Sequence, residues 1–253
     1  MGRFLIALMI VAWTVPAWAH FSLEGLDHVP VVVRDLDQAK ADFEALGFVL
    51  KPGRPHANGL RNLHAKFPDG TEIELITATT ASDQLSAEYL EWQRVGDGPI
   101  SFGLYVPDEI TAFVPGAIPG GFYGHRQKSP TDRPEHFAHP NGATTLSGVW
   151  LAEDSGTERD MLVVLHGRTE RAVCAPFIQG APIRAWVKEF KEGEVVFLPE
   201  SLQRVRGRPI VALTVLVRSL ETARRFVNGR TESCAPKSLW VETHGFWLEF
   251  RAP

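Results

Sequence analysis

Residues Gly25-Leu26-Asp27-His28-Val29-Pro30-Val31-Val32-Val33-Arg34-Asp35-Leu36 pass from a β-branched run into the opening of a helix. The run from Val29 to Val33 is apolar on both alternating faces and reads as a buried strand. Asp35 has the short acceptor side chain of an N-cap, and Leu36, Ala39, Phe43 and Leu46 follow at helical spacing. Gly47 then supplies the left-handed residue that ends such a helix. Beyond it the sequence predicts three short strands, at 48–51, 62–67 and 71–77, with Pro68-Asp69-Gly70 turning the last two into a hairpin. The unit is β-α-β-β-β.

The same unit recurs. Val33-Arg34-Asp35-Leu36-x-x-Ala39 is echoed by Val217-Arg218-Ser219-Leu220-x-x-Ala223, and Gly70-x-x-x-Glu74 by Gly245-x-x-x-Glu249. A further echo links Gly167-Arg168-Thr169-Glu170 and Cys174-Ala175-Pro176 to Gly229-Arg230-Thr231-Glu232 and Cys234-Ala235-Pro236. Ile100–Asp108 and Leu146–Asp154 have the look of two more strand-to-helix openings. Three echoes in register point to four modules, starting near 25, 99, 143 and 208, with a helix over 82–94 bridging the first two.

Composition bounds the function. The 253 residues are 44% hydrophobic and 22% charged, as in a globular protein and unlike a disordered, collagenous or coiled-coil chain. A net charge of −4 without a basic run argues against nucleic acid or an anionic membrane as partner and fits a small-molecule cleft. Residues 1–19 join Arg3, an apolar run from Phe4 to Val15 and a closing Ala17-x-Ala19, the pattern of a secretory signal cleaved after Ala19. The apolar run is shorter than the ~20 residues that span a bilayer. Export to the periplasm or the extracellular space is therefore expected, with no membrane attachment after cleavage. In an oxidising compartment Cys174 and Cys234 can pair. Their equivalent places at second strands, which tend to lie on outer edges, argue against the bridge, because a disulfide tolerates only ~7 Å between Cα atoms.

Gly25-Leu26-Asp27-His28-Val29, Val33-Arg34-Asp35-Leu36, Leu46-Gly47-Phe48, Phe67-x-Asp69-Gly70-Thr71, Glu74-Leu75-Ile76 and His139-Pro140-Asn141-Gly142-Ala143 together resemble the glyoxalase-like branch of the vicinal oxygen chelate superfamily. The resemblance is strong over 25–77, fair over 97–152 and mainly topological beyond. It implies an α+β fold of four βαβββ modules, partly degenerate, pairing into two half-open barrels: a first domain at 25–142 and a degenerate second at 143–253. It also implies that metal ligands come from the first and last strands of paired modules.

On that pattern His28 and Glu74 occupy ligand positions, and imidazole nitrogen with carboxylate oxygen suits Zn, Mn, Fe or Ni. Module two has Ser101 where a second His is expected, and its shortened last strand, 132–139, offers Glu135, His136 or His139 as a third ligand. The competing view makes His28 a core histidine and Glu74 a buried polar contact. Arg61 and Asn62 begin a neighbouring strand, where an Arg can clamp a substrate carboxylate. His56, His64 and His125 are candidate bases, with a capping or solvated role as the alternative. Trp92, Trp150, Trp186, Trp240 and Trp247 are expected to fill the barrels.

In the second half Leu146, Ala212 and Phe197 stand at ligand positions beside Glu249, so that half is left to structure, to lining a site or to contact with a second copy of the chain. Val163-Val164-Leu165-His166-Gly167 is like an esterase oxyanion strand, but no Gly-x-Ser-x-Gly elbow exists to supply a nucleophile. His20, exposed as a new N-terminus by cleavage, offers an amine and an imidazole that can chelate copper, although the resemblance to a chelate fold points elsewhere.

Two functions follow. One is a metal-dependent enzyme on a small oxygenated molecule, a lyase, isomerase or ring-cleaving dioxygenase, using Glu74 and Arg61 in catalysis and His28, Glu74, His136 and His139 as ligand candidates. Arg61, Asn62, Ser101 and His125 would then touch substrate. The other is a metal-free protein that sequesters a small molecule in the same cleft.

Overall fold

The computed structural model describes residues 23–54, 56–107, 121–124, 126, 128–153, 167–179, 182–232 and 234–253. The leader at 1–19, His20 and His125 fall outside these residues, as does 163–166 of the esterase-like strand.

The first module forms as its sequence predicts. Strand β1 (Gly25–Leu26) and β2 (His28–Val32) lead into α1 (Leu36–Ala45), whose N-cap Asp35 accepts from the amides of Asp37 and Gln38 at 3.0 and 2.9 Å. Leu36, Ala39 and Phe43 are its buried face. Gly47 has φ +81°, and a Cβ there would stand 2.8 Å from Phe226 and 2.9 Å from Asn141, so helix end and close packing both demand glycine.

Strands β3 (Lys51–Pro52), β4 (Leu60–Lys66) and β5 (Glu72–Ala78) complete the module. The strand expected at 48–51 shrinks to its end because its donors are taken: Phe48 N caps α1 through Phe43 O, and Val49 N donates to the His139 ring. Pro52 brings no amide to extend it. Next come α2 (Gln84–Val95), capped by Asp83 with Ser86, then β6 (Gly98–Pro99), β7 (Phe102–Tyr105) and β8 (Gly121–Gly124). The expected final strand of module two is instead a 3-10 turn, Pro134–Phe137, preceded by Asp132, which is anchored to Lys51 at 2.6 Å and Lys66 at 3.3 Å.

The second half contributes β9 (Ala143–Ala152), β10 (Thr169–Val173), β11 (Ile183–Glu189), β12 (Glu194–Leu198), β13 (Ile210–Val217), α3 (Leu220–Ala223), β14 (Arg230–Glu232), β15 (Ala235–Thr243) and β16 (Phe246–Arg251). Its sheet runs β10-β11-β12-β9-β13-β16-β15-β14, so two modules meet back to back through antiparallel β9 and β13. Module one has the same internal order, β3-β4-β5-β2, with β6 added beside β2; β1, β7 and β8 form a third, small sheet.

One apolar core links the halves. Val29, Val31, Phe43, Phe67 and Leu75 share a buried cluster with Leu146, Leu213, Val215, Leu248 and Phe250. At its centre Phe48 lies 5.6 Å from Phe43, 5.8 Å from Phe250 and 5.5 Å from the His139 ring. Burial of each such phenylalanine contributes roughly 2–3 kcal/mol. Trp150, Trp240 and Trp247 fill a second cluster inside the eight-stranded sheet, whereas Trp186 is 40% exposed, because on β11 it points away from the inward Ala185 and Val187 and lies under Arg168.

Cys174 and Cys234 are bonded, contrary to the expectation from edge placement. They do follow edge strands, β10 and β14, but the sheet curls until those edges meet, with Cα atoms 6.1 Å apart. The bridge closes a loop of 60 residues, a constraint on the unfolded chain worth roughly 4 kcal/mol. Replacing both cysteines with serine is expected to lower the Tm by roughly 10 °C in calorimetry, and non-reducing peptide mapping of the wild type to yield the linked pair; an unchanged Tm overturns the structural role.

Candidate functional site

The parallel pairing of β2 with β5 sets His28 opposite Glu72 and Pro30 opposite Glu74, which puts His28 and Glu74 on one face of the sheet. From β4, Asn62, His64 and Lys66 join that face. At its apolar end Val32, Leu60, Ile76 and Ala78 are covered by Tyr89, Leu90 and Trp92 of α2. At its polar end is a connected set of charges.

His28 is gripped from behind. Its Nδ1 lies 2.5 Å from Asp27 Oδ2, while its Nε2 is 3.9 Å from Glu74 Oε2. Asp27 Oδ1 accepts from the Arg126 amide at 2.6 Å, and Glu74 Oε1 accepts from Asn62 Nδ2 at 2.6 Å. Burial alone would lower the imidazole pKa; the hydrogen bond and charge of Asp27, then the charges of Glu74 and Glu72, outweigh it and raise the value above 6.5. Asn62 has its own constraint, since a Cβ on Gly53 would lie 1.7 Å from its Oδ1.

The neighbouring charges are paired. Glu72 meets His64 at 3.2 Å and Lys66 at 3.0 Å, and against the cost of burial these partners bring its carboxyl down to about 2. Lys66 is raised, its burial outweighed by Glu72 and Asp132. Tyr89 is pushed up by burial and by the nearby charge of Glu74. Asp27, Glu72 and Tyr89 escaped the sequence reading. Asp27 carried a signal, its place directly before His28 in a strand; Tyr89 had none, because only packing of α2 across the sheet brings it there.

Other expected site residues go elsewhere. Arg61 faces the opposite side of β4, exposed, 3.9 Å from Asp37 of α1, so it cannot serve beside His28. Asn62 supports Glu74. Ser101 is half-buried between β6 and β7, and His136 lies in the 3-10 turn with Nδ1 accepting from the Arg133 amide at 3.1 Å. His139 is a core residue: Nδ1 accepts from Val49 N at 3.0 Å and Nε2 donates to Lys66 O at 2.8 Å, leaving no nitrogen for a metal. Among the described residues no group of three His, Cys, Asp or Glu is placed to hold a metal ion. Of the ligands expected from the sequence, His28 and Glu74 are the pair that the fold brings together, 3.9 Å apart.

Residues 26–109 match the family model of a glyoxalase-like domain. The fold is also that of several solved oxygenases. A substituted 4-hydroxymandelate synthase from Streptomyces coelicolor aligns with a TM-score of 0.62 at 13% identity, covering 90% of this chain and 92% of that one. The 2,3-dioxygenase LapB from a Pseudomonas species aligns at 0.54 and 11% identity, covering 93% and 94%. A fusion of a xylose isomerase-like TIM barrel with 4-hydroxyphenylpyruvate dioxygenase aligns at 0.56 and 11%; this chain is covered to 92% but spans only 49% of the fusion. No curated protein matches the sequence. Residues 26–109 are thus similar to a glyoxalase-like domain, within a chain whose fold is that of these dioxygenase-type proteins. At these identities the solved neighbours establish the fold and carry no residue roles across.

His139 belongs to the structure, with a measurable consequence. Burial, partly offset by the Lys66 carbonyl, depresses its pKa to about 4. Between pH 6.5 and 4 the unfolded chain binds a proton that the folded one does not, so this contribution is complete above 6.5 and is lost as pH falls. The loss is roughly 3 kcal/mol. Urea unfolding of wild type against His139→Gln is expected to show that acid slope only in the wild type; equal slopes contradict it. His28 has the opposite sign, its contribution being lost as pH rises through its raised value.

Proposed function

We propose that the protein acts on a small oxygenated molecule at the corner formed by Asp27, His28 and Glu74. One observation carries this. His28 Nε2 and Glu74 Oε2 are 3.9 Å apart, too far for a direct hydrogen bond yet close enough for one ligand oxygen to lie about 2.8 Å from both. Asp27 fixes the imidazole so that a proton on Nε2 is aimed at that oxygen, while Glu74 accepts a proton from the same molecule. Such a pair suits proton transfer next to a carbonyl, the chemistry of isomerases and lyases. The described residues do not complete a divalent-metal site.

The second reading is sequestration without turnover. It is favoured by α2, whose Tyr89, Leu90 and Trp92 already roof the apolar end of the face and would hold a ligand's body. The leader-like 1–19 segment and the Cys174–Cys234 bridge support a place outside the cytosol for either activity.

The test is an NMR and thermal-shift screen of 2-oxo acids, hydroxyketones and catechols, with product formation followed in parallel. Saturable binding weakened about tenfold or more by His28→Ala and by Glu74→Gln supports the site. Turnover abolished by Glu74→Gln selects the enzyme, and binding without product selects sequestration. Ligand binding indifferent to both substitutions overturns the proposal.

A further inference from the structure

Arg126, just past β8, is held by both halves of the molecule. Its side chain is 7% exposed. Nε and Nη2 donate to the Leu26 carbonyl of β1 at 2.8 and 2.6 Å, and Nη1 donates to the Glu192 carboxylate. The guanidinium also lies 4.2 Å from the centroid of the Tyr105 ring on β7. Glu192 belongs to the second half, in the turn between β11 and β12. There its amide donates to Glu24 O at 2.8 Å and its backbone bridges to Gly25.

The backbone of Arg126 carries a cost that this grip offsets. Its φ is +49°, a left-handed conformation that glycine takes freely and a residue with a side chain takes at a penalty. In that conformation its amide points at Asp27 Oδ1, 2.6 Å away, while Asp27 Oδ2 meets His28 Nδ1 at 2.5 Å. Asp27 is 7% exposed, so without that amide a buried carboxylate oxygen would be short of a donor. The surroundings are shaped to admit these groups. A Cβ on Gly124 would collide with Asp27 Oδ2, and one on Gly25 would stand 2.8 Å from Arg126 Nη2.

We propose that Arg126 is a positioning residue for the His28 corner, and that Glu192 lets the second half set the orientation of Asp27 through it. The line of contact runs Glu192, Arg126, Asp27, His28, and each link is a hydrogen bond. Arg126 acts on the imidazole through Asp27. Loss of the Glu192 carboxylate frees the guanidinium, lets the left-handed backbone relax and withdraws the amide. Asp27 then turns, and the imidazole loses its fixed aim. The second half thus governs the corner from a residue outside it. The proposal rests on the reading of the His28 corner as the working site.

The ring protons of His28 report the effect in the ligand-free full chain, so failure of this proposal and failure of the corner to bind a ligand are read separately. NMR of 15N-histidine protein follows the Nδ1–H of His28, assigned by its loss in His28→Ala. About tenfold faster exchange of that proton with water is expected in Glu192→Gln and in Arg126→Gly. Glu192→Gln keeps the shape of a partly exposed side chain, and Arg126→Gly keeps the left-handed turn while removing the grip. Because Glu192 acts through Arg126, the double variant is expected to match Arg126→Gly alone. The Nε2–H of His139, bonded to Lys66 O, is the control and is expected to be unchanged. An unchanged His28 proton in either single variant, additive effects in the double variant, or equal acceleration at His139 each overturns the proposal.

Discussion

The register of β2 against β5 is the constraint on which the candidate site depends. Parallel pairing sets Pro30 opposite Glu74, and strand alternation then brings His28 to the same face. A slip of one residue would turn His28 into the apolar core and Val29 out to the polar face. That slip is blocked by burial, because Val29, Val31, Ile73 and Leu75 are all fully enclosed on the opposite side. The apolar side of the sheet thereby fixes the chemistry of its polar side. Asp27 and Asn62 refine the result by holding the imidazole and the carboxylate from their two ends.

The two halves use different means to reach closure. The first leans on the second through Phe48, Phe250 and His139, a contact that sequence repeats do not announce because each module supplies only part of it. The second closes on itself, its edge strands drawn together by curl and fastened by a disulfide. At the joint, Asn141 Nδ2 donates to Leu46 O at 2.9 Å and its Oδ1 accepts from Ala143 N at 2.9 Å, which ties α1 to β9.

What the sequence made legible was local or repeated. Asp35 and Gly47 bound a helix because caps depend on neighbours in the chain, and the Pro68-Asp69-Gly70 hairpin and the module order follow from turn chemistry and periodicity. What it hid was set by tertiary parity or by packing. Arg61 and Asn62 are adjacent, yet alternation sends only Asn62 to the site. His139 has the composition of a ligand, and only the fold shows both nitrogens spent on Val49 and Lys66. The 48–51 strand gives way to a helix cap, and the disulfide is hidden because edge position says nothing about curl.

The candidate site depends most heavily on Asp27 holding His28 in a protonatable state against the cost of burial. The direct measurement is an NMR titration of the His28 ring in the wild type and in Asp27→Asn. Expected is a wild-type pKa above 6.5 that falls below the ordinary value in the variant, where burial is no longer outweighed. A wild-type value at or below 6.5, or one that Asp27→Asn leaves unchanged, would contradict it.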